Sequence, residues 1–197
     1  NKAVSGEGLG SISGLGSQSV VAGKFAEGSI EAEVGAKSFP IILKSLFGAL
    51  SSAANASDYK HTISLLESNQ HPSFSITLDD DNGDLRFRKC MIDSFELNIG
   101  MDDIVKFNAG IKSRVSQDSS YTAAPAIDYK FVGRDLELKV GAATTDLAAA
   151  TAISVKELKL TVNKNTDFDW VLGTLEPEDI LNKQITIEGS LTLNYED

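Results

Sequence analysis

The sequence predicts a mainly β, antiparallel fold with one amphipathic α-helix flanking it. Three observations predict it. In Met91 to Arg114, MIDSFELNIGMDDIVKFNAGIKSR, apolar residues stand at Phe95, Leu97 and Ile99 and again at Val105, Phe107, Ala109 and Ile111, with Ser94, Glu96, Asn98, Lys106, Asn108 and Lys112 between them. A period of two sends alternate side chains to opposite faces of a strand. The break at Gly100 to Asp103 supplies a turn, so the pair forms a long antiparallel hairpin with one oily face and one wet face, and the rest of the chain packs on the oily side. The same alternation recurs in shorter runs separated by turn residues, and a clear helical period of apolar residues occurs once, from Ser38 to Leu50.

At 197 residues the chain is long enough for one substantial core. No linker composition divides its middle, so a Gly/Ser-rich arm over 1–27 followed by a single domain over 28–197 is expected. Eighteen basic and 28 acidic residues give a formal charge of −10, which repels nucleic acid and anionic lipid and argues against a gripping DNA-binding role. The one cysteine, Cys90, excludes an intramolecular disulfide framework and reads as a small buried hydrophobe. No apolar run approaches the ~20 residues of a membrane helix. The chain opens at Asn1 rather than Met, without a signal-peptide layout, and reads as a trimmed fragment whose true start lies upstream.

From Gly6 to Gly28 apolar residues such as Leu9, Ile12 and Leu15 are scattered among Gly and Ser, the composition of an exposed or inter-subunit arm. At Gly23-Lys24 the next residue is Phe25, where a phosphate-binding loop needs Ser or Thr. GSIEAEV, Gly28 to Val34, is a first strand with Ile30, Ala32 and Val34 on one side and Glu31 and Glu33 on the other. The helix follows, with Ser38 as cap, Pro40 in the first turn and Phe39, Ile42, Leu43, Leu46, Phe47 and Leu50 as its stripe. A lone Lys44 favours core packing over a membrane surface.

Ser51 to Tyr59 reads as a polar loop, and Asn55-Ala-Ser57 has the form of a glycosylation sequon. His61 to Leu66 and Ser73 to Leu78 are strands, the latter joined to Leu85–Cys90 by Asn82-Gly83, a type I′ turn signal. Against a calcium-loop pattern the acidic cluster around Gly83 puts Leu78 and Lys89 at ligand positions, which favours a solvated turn. Val115 to Ala126 is a polar loop. Ile127–Val132 and Leu136–Val140 are expected to form a hairpin, Ile153–Val162 a strand with a bulge at Lys156-Glu157, and Gln184–Tyr195 a last strand with Ile185, Ile187, Leu191, Leu193 and Tyr195 inward.

No catalytic, cofactor-binding or metal-binding set emerges. Two histidines, His61 and His71, leave little for a nucleophilic triad or a metal centre and read as structural or surface residues. Asp167 and Asp169 share a strand face, but no histidine or third acid lies nearby in sequence.

The order GSIEAEV, ILKSLFGAL, KHTISLLESNQHPSFSITLDDD, IDSFELNIGMDDIVKFNAGIKSR and VKELKLTVNKNTDFDWVLGTLEPEDILNKQITIEGSLTLNYED resembles the tail tube proteins of long-tailed bacteriophages and related prophages. The resemblance implies a β-sandwich or barrel flanked by a helix, no enzymatic activity and no cofactor. It implies six copies in a ring and rings stacked as a conduit for genome delivery, with the chain itself and other tail proteins as partners. DNA would pass through without specific binding, no membrane would be involved, and the chain would reside in the virion tail after assembly from the host cytoplasm. Ser94, Glu96, Asn98, Lys106, Asn108 and Lys112 are then the candidate lumen-facing residues, with a merely solvated or external sheet face as the equal alternative. A monomeric β-sandwich binding module of carbohydrate-binding or adhesin type is the other reading of the fold, with loops such as Val115 to Ala126 carrying its site.

Overall fold

A computed structural model of the chain describes residues 2–4, 19–55, 58–122, 124, 127–141, 147 and 149–194. Leu9, Ile12 and Leu15 of the arm, Ala56-Ser57 of the sequon, part of the Val115 to Ala126 loop and Tyr195 lie outside the described residues. The elements are β1 (Lys2–Val4), β2 (Ser19–Val21), β3 (Ala26–Glu33), α1 (Phe39–Phe47), β4 (Gly48–Asn55), β5 (Asp58–Leu65), β6 (Phe74–Leu78), β7 (Asp84–Gly100), β8 (Lys106–Ser113), β9 (Gln117–Ser119), β10 (Leu138–Lys139), β11 (Ala152–Ile153), β12 (Val155–Asn163), β13 (Asp167–Asp169), β14 (Asp179–Leu181) and β15 (Thr186–Leu193). The fold is mainly β, built from antiparallel sheets with one α-helix, and sandwich-like rather than a closed barrel.

The predicted hairpin is its centre. β7 and β8 pair as Phe95↔Ala109 and Leu97↔Phe107, with β12 then β15 on one flank and β3 on the other, giving the order β15-β12-β7-β8-β3. The first half of β7 belongs elsewhere, pairing with β6 and β9. Lys89 at φ 52 lies within this strand, near the point where it passes from one set of partners to the other. Phe95, Phe107, Ile92, Ile99 and Val162 form the core, with Leu46 of α1 pressed onto it. Phe95 stacks on Phe107 at 5.9 Å between centroids, and Phe39 tilts against both. Cys90 is fully buried, as a small hydrophobe.

The helix is shorter than its apolar period. It stops at Phe47 because Gly48 takes φ 91 and sends its amide back to the Lys44 carbonyl. Ser38 does not cap through its own side chain. Asp128, far along the chain, accepts hydrogen bonds from the Lys37 and Ser38 amides and from Ser38 Oγ instead.

After Gly48 the expected loop is strand: β4 and β5 form a two-stranded ribbon whose residues 51–55 are all exposed. Ser51, Ser52, Ala53 and Ala54 carry no alternation to reveal it. A Cβ at Gly48 would lie 2.8 Å from Leu66 Cβ and 3.0 Å from the His71 ring, in a backbone region L-residues avoid. Gly48→Ala is therefore expected to lose about 2 kcal/mol in urea unfolding, from positive φ and overlap together.

Two further turns differ from expectation. Gly83 has φ 126 but Asn82 is not left-handed, so β6 and β7 are joined by a longer connection closed by Gly83 N–H to Asp80 O rather than a type I′ turn. The segment 127–140 is not a hairpin. Phe131 exchanges backbone bonds with Val34 and Val105, Gly133–Asp135 forms one 3-10 turn, and β10 pairs with β11. The tertiary partners compete successfully for backbone groups that a local hairpin would have used.

Candidate functional site

Because residues directly opposite in a sheet share a face, the register assigns every side chain of the five strands. One row across the sheet runs Glu188, Thr161, Glu96, Asn108, Glu31, and the next Ser190, Lys159, Asn98, Lys106, Glu33. The row toward the other end is Thr186, Asn163, Ser94, Gly110, Ser29. Every side chain in these rows is polar or absent. The other face carries Val162, Leu160, Phe95, Leu97, Phe107 and Ile30 and meets the core.

Five of the six candidate residues, Ser94, Glu96, Asn98, Lys106 and Asn108, stand together on this polar face. Lys112 belongs to it by alternation but is set apart. A bulge between Ile92 and Ser94 turns Asp93 so that its Oδ1 accepts from Thr166 N–H at 2.7 Å and Thr166 Oγ1 at 2.6 Å. Lys112 Nζ lies 3.4 Å from the same oxygen and donates to Thr166 O at 2.7 Å, with the Phe168 ring beneath it. It pins the β12–β13 connection to the sheet.

The electrostatics of the face are settled by strands the hairpin alone does not reveal. Glu27, Glu31, Glu33, Glu96, Glu157 and Glu188 stand on it against Lys106, Lys112 and Lys159, an excess of negative charge. Glu96 is held below the usual carboxylate range by a hydrogen bond from Asn98 and then by Lys159 Nζ, 2.9 Å away. The face is thus acidic with its lysines largely neutralised. The alternation of β12 and β15 was a signal for Thr161, Lys159, Glu188 and Ser190, but only the strand order places them beside Glu96.

A second polar group lies under the helix. Lys164 has no solvent exposure and donates from Nζ to Ser45 O at 3.3 Å, one of the carbonyls left open at the end of α1. Burial pulls its pKa down to about 8, against the attraction of Asp93. His71, also buried, donates from Nε2 to Leu66 O at 2.9 Å, so its Nδ1 is the bare acceptor; burial lowers its pKa, with Lys164 contributing. These groups brace the helix and lie away from the polar sheet face. Asp167 is committed to Lys183 at 2.6 Å, and Asp169 stands opposite Asp179 in the β13–β14 pair. Among the described residues no cluster of His, Cys, Asp and Glu is arranged to hold a metal ion. No helix among them is long and apolar enough to cross a membrane.

The edges complete the description. Among the described residues β3 and β15, eight residues each, pair on one side only. On β15, Ile187, Leu191 and Leu193 share the apolar face but remain about half exposed, so their predicted inward position is not covered by the described residues. A sheet polar across one face, apolar on the other and open at both edges is the form of a protein that builds structure by associating with further copies. The chain belongs to the phage tail tube protein family, whose model matches residues 11–197. No curated protein matches the sequence. Membership makes it a structural protein of the virion tail, associating with itself and with other tail proteins in a tube; the family is in general not enzymatic.

Proposed function

We propose that six copies of this chain close into a ring, that rings stack into a conduit for genome delivery, and that the acidic polar sheet face lines the channel. The observation that carries this reading is the continuous polar face bounded by two edges of equal length that are unpaired among the described residues. Successive strands alternate in direction across five strands, so β3 and β15 point the same way. Rotation about a ring axis then brings β15 of one copy beside β3 of the next as a parallel pair, one parallel seam per subunit. Six such sheets give about 30 strands, which at ~4.8 Å spacing make a perimeter of roughly 140 Å and a channel wide enough for duplex DNA once the strands tilt.

Ser94, Glu96, Asn98, Lys106 and Asn108 then face the lumen, with Lys112 at its margin. An acidic wall lets DNA slide, because phosphate contacts that release counterions are what make DNA adhere. Of the division expected at 27/28, Lys24 to Glu27 already belong to the domain, through β3 and the contacts of Lys24 and Phe25 with the β13–β14 segment, and the exposed Val20 supports an arm before them that has its partner elsewhere. Subunits would await assembly in the host cytoplasm.

Negative-stain electron microscopy across concentration, with light scattering for mass, tests this. Rings or hollow tubes of even diameter are expected, and a strict monomer at high concentration contradicts it. A charge reversal tests the lining. Glu31→Lys with Glu188→Lys changes the face from six carboxylates and three ammonium groups to four and five. Tubes should still form, but they should now retain double-stranded DNA on sedimentation, and salt should release it.

A further inference from the structure

The β13–β14 connection ends in an apolar tip that none of the described residues covers. Leu172 is fully exposed at a turn whose next residue, Gly173, has φ 89, with Val171 and Trp170 partly exposed beside it. The tip is rigid: Thr174 Oγ1 bonds to Val171 O and Glu176 O, Lys24 N–H donates to Leu175 O, and Trp170 packs with Phe25 and Phe168. A preformed apolar tip loses little ordering entropy when it docks.

This tip stands at the end of the sheet where β3 begins and β8 finishes, beside Phe25 and Arg114. At the opposite end, beyond Ile99, lies a groove of about 380 Å³ whose apolar lining includes Met101, Leu136, Leu138 and Ile153. Its rim carries Arg134 and Lys156, which form no ion pair among the described residues. Glu137, on the same rim, is taken by Lys139, and Glu157 belongs by register to the polar face. The tip is flanked by the exposed acids Asp169 and Glu178 and by the cations Lys24 and Arg114.

From this geometry we infer that Leu172 and its neighbours insert into the Met101–Leu136–Ile153 groove of a second copy displaced along the strand direction. The occupant is another copy of this chain because an apolar tip and an apolar groove lie at opposite ends of one sheet, so the same contact repeats, in a family whose members associate with themselves in a tube. A heterologous contact of this kind does not close on itself and propagates as a filament. The inference rests on the conduit reading, to which it adds the surfaces that join one ring to the next.

The test uses Leu172→Asp and Met101→Asp, both at exposed positions, so the melting transition is expected to stay in place. Each variant is expected to form rings that fail to stack, seen by electron microscopy, while Leu172→Met restores tubes. Preformed Leu172→Asp rings keep a sound groove and preformed Met101→Asp rings a sound tip, so mixing them should give paired rings and nothing longer. Full-length tubes from Leu172→Asp and from Met101→Asp would overturn the contact and leave the conduit reading standing. Absence of tubes from the unaltered protein would overturn both.

Discussion

Phe95→Ala is expected to lower stability by about 3–5 kcal/mol, the range for removing a large aromatic from a packed interior. Phe95 is almost wholly buried at the crossing of β7, β8 and α1, and its ring touches both Phe107 and Phe39. Truncation would leave a cavity between sheet and helix that neither can fill, since the backbone of β7 is fixed by neighbours on both sides. Urea unfolding followed by circular dichroism measures the loss. Asn108→Ala on the opposite face of the same sheet removes an exposed side chain and should shift stability by less than about 0.5 kcal/mol. A large effect there with a small one at Phe95 would invert the assignment of faces.

Stability is expected to rise between pH 8 and pH 10.5 through Lys164. The folded state holds its ammonium with a pKa of about 8 against 10.5 for an ordinary lysine. In that interval the unfolded chain binds the extra proton, so stability increases with pH. At about 1.4 kcal/mol per pH unit the full effect is on the order of 3 kcal/mol. Lys164→Met removes it, so the difference between the two proteins, followed by unfolding across pH 7 to 11, isolates this one group. Cys90 and Tyr129 act in the opposite sense, burial raising the thiol and the Asp135 hydrogen bond raising the phenol, but both are common to the two proteins. His71 adds a separate acid-side step: its lowered pKa means that stability falls as pH drops below about 6.5, where the unfolded histidine takes up its proton first.

The parts of the molecule legible in the sequence are those where burial imposes a period. Phe95, Leu97 and Ile99 alternate because one face of β7 meets the core, and the bulge near Glu157 appeared as a slip in that alternation. β4 has no such signature, since neither face of the β4–β5 ribbon is buried, whereas most of its partner β5 is the strand expected from His61 onward. Segment 127–140 misled for a different reason: its backbone groups are taken by Val34 and Val105, far away in the chain. The polar face was half legible. The hairpin showed Ser94, Glu96, Asn98, Lys106 and Asn108, but its net charge depends on Glu31, Glu33, Lys159 and Glu188, and strand order is a tertiary fact. Lys112 shows the same limit, because alternation places it on the face while Asp93 and Thr166 draw it aside.

The most direct test of the conduit reading is an electron cryomicroscopy reconstruction of assembled tubes at side-chain resolution. It is expected to show Glu31, Glu96, Asn108, Thr161 and Glu188 on the channel wall, α1 outside the sheet, and β15 of each subunit parallel to β3 of the next. A tube with that polar face on its outer surface and α1 toward the channel would contradict it.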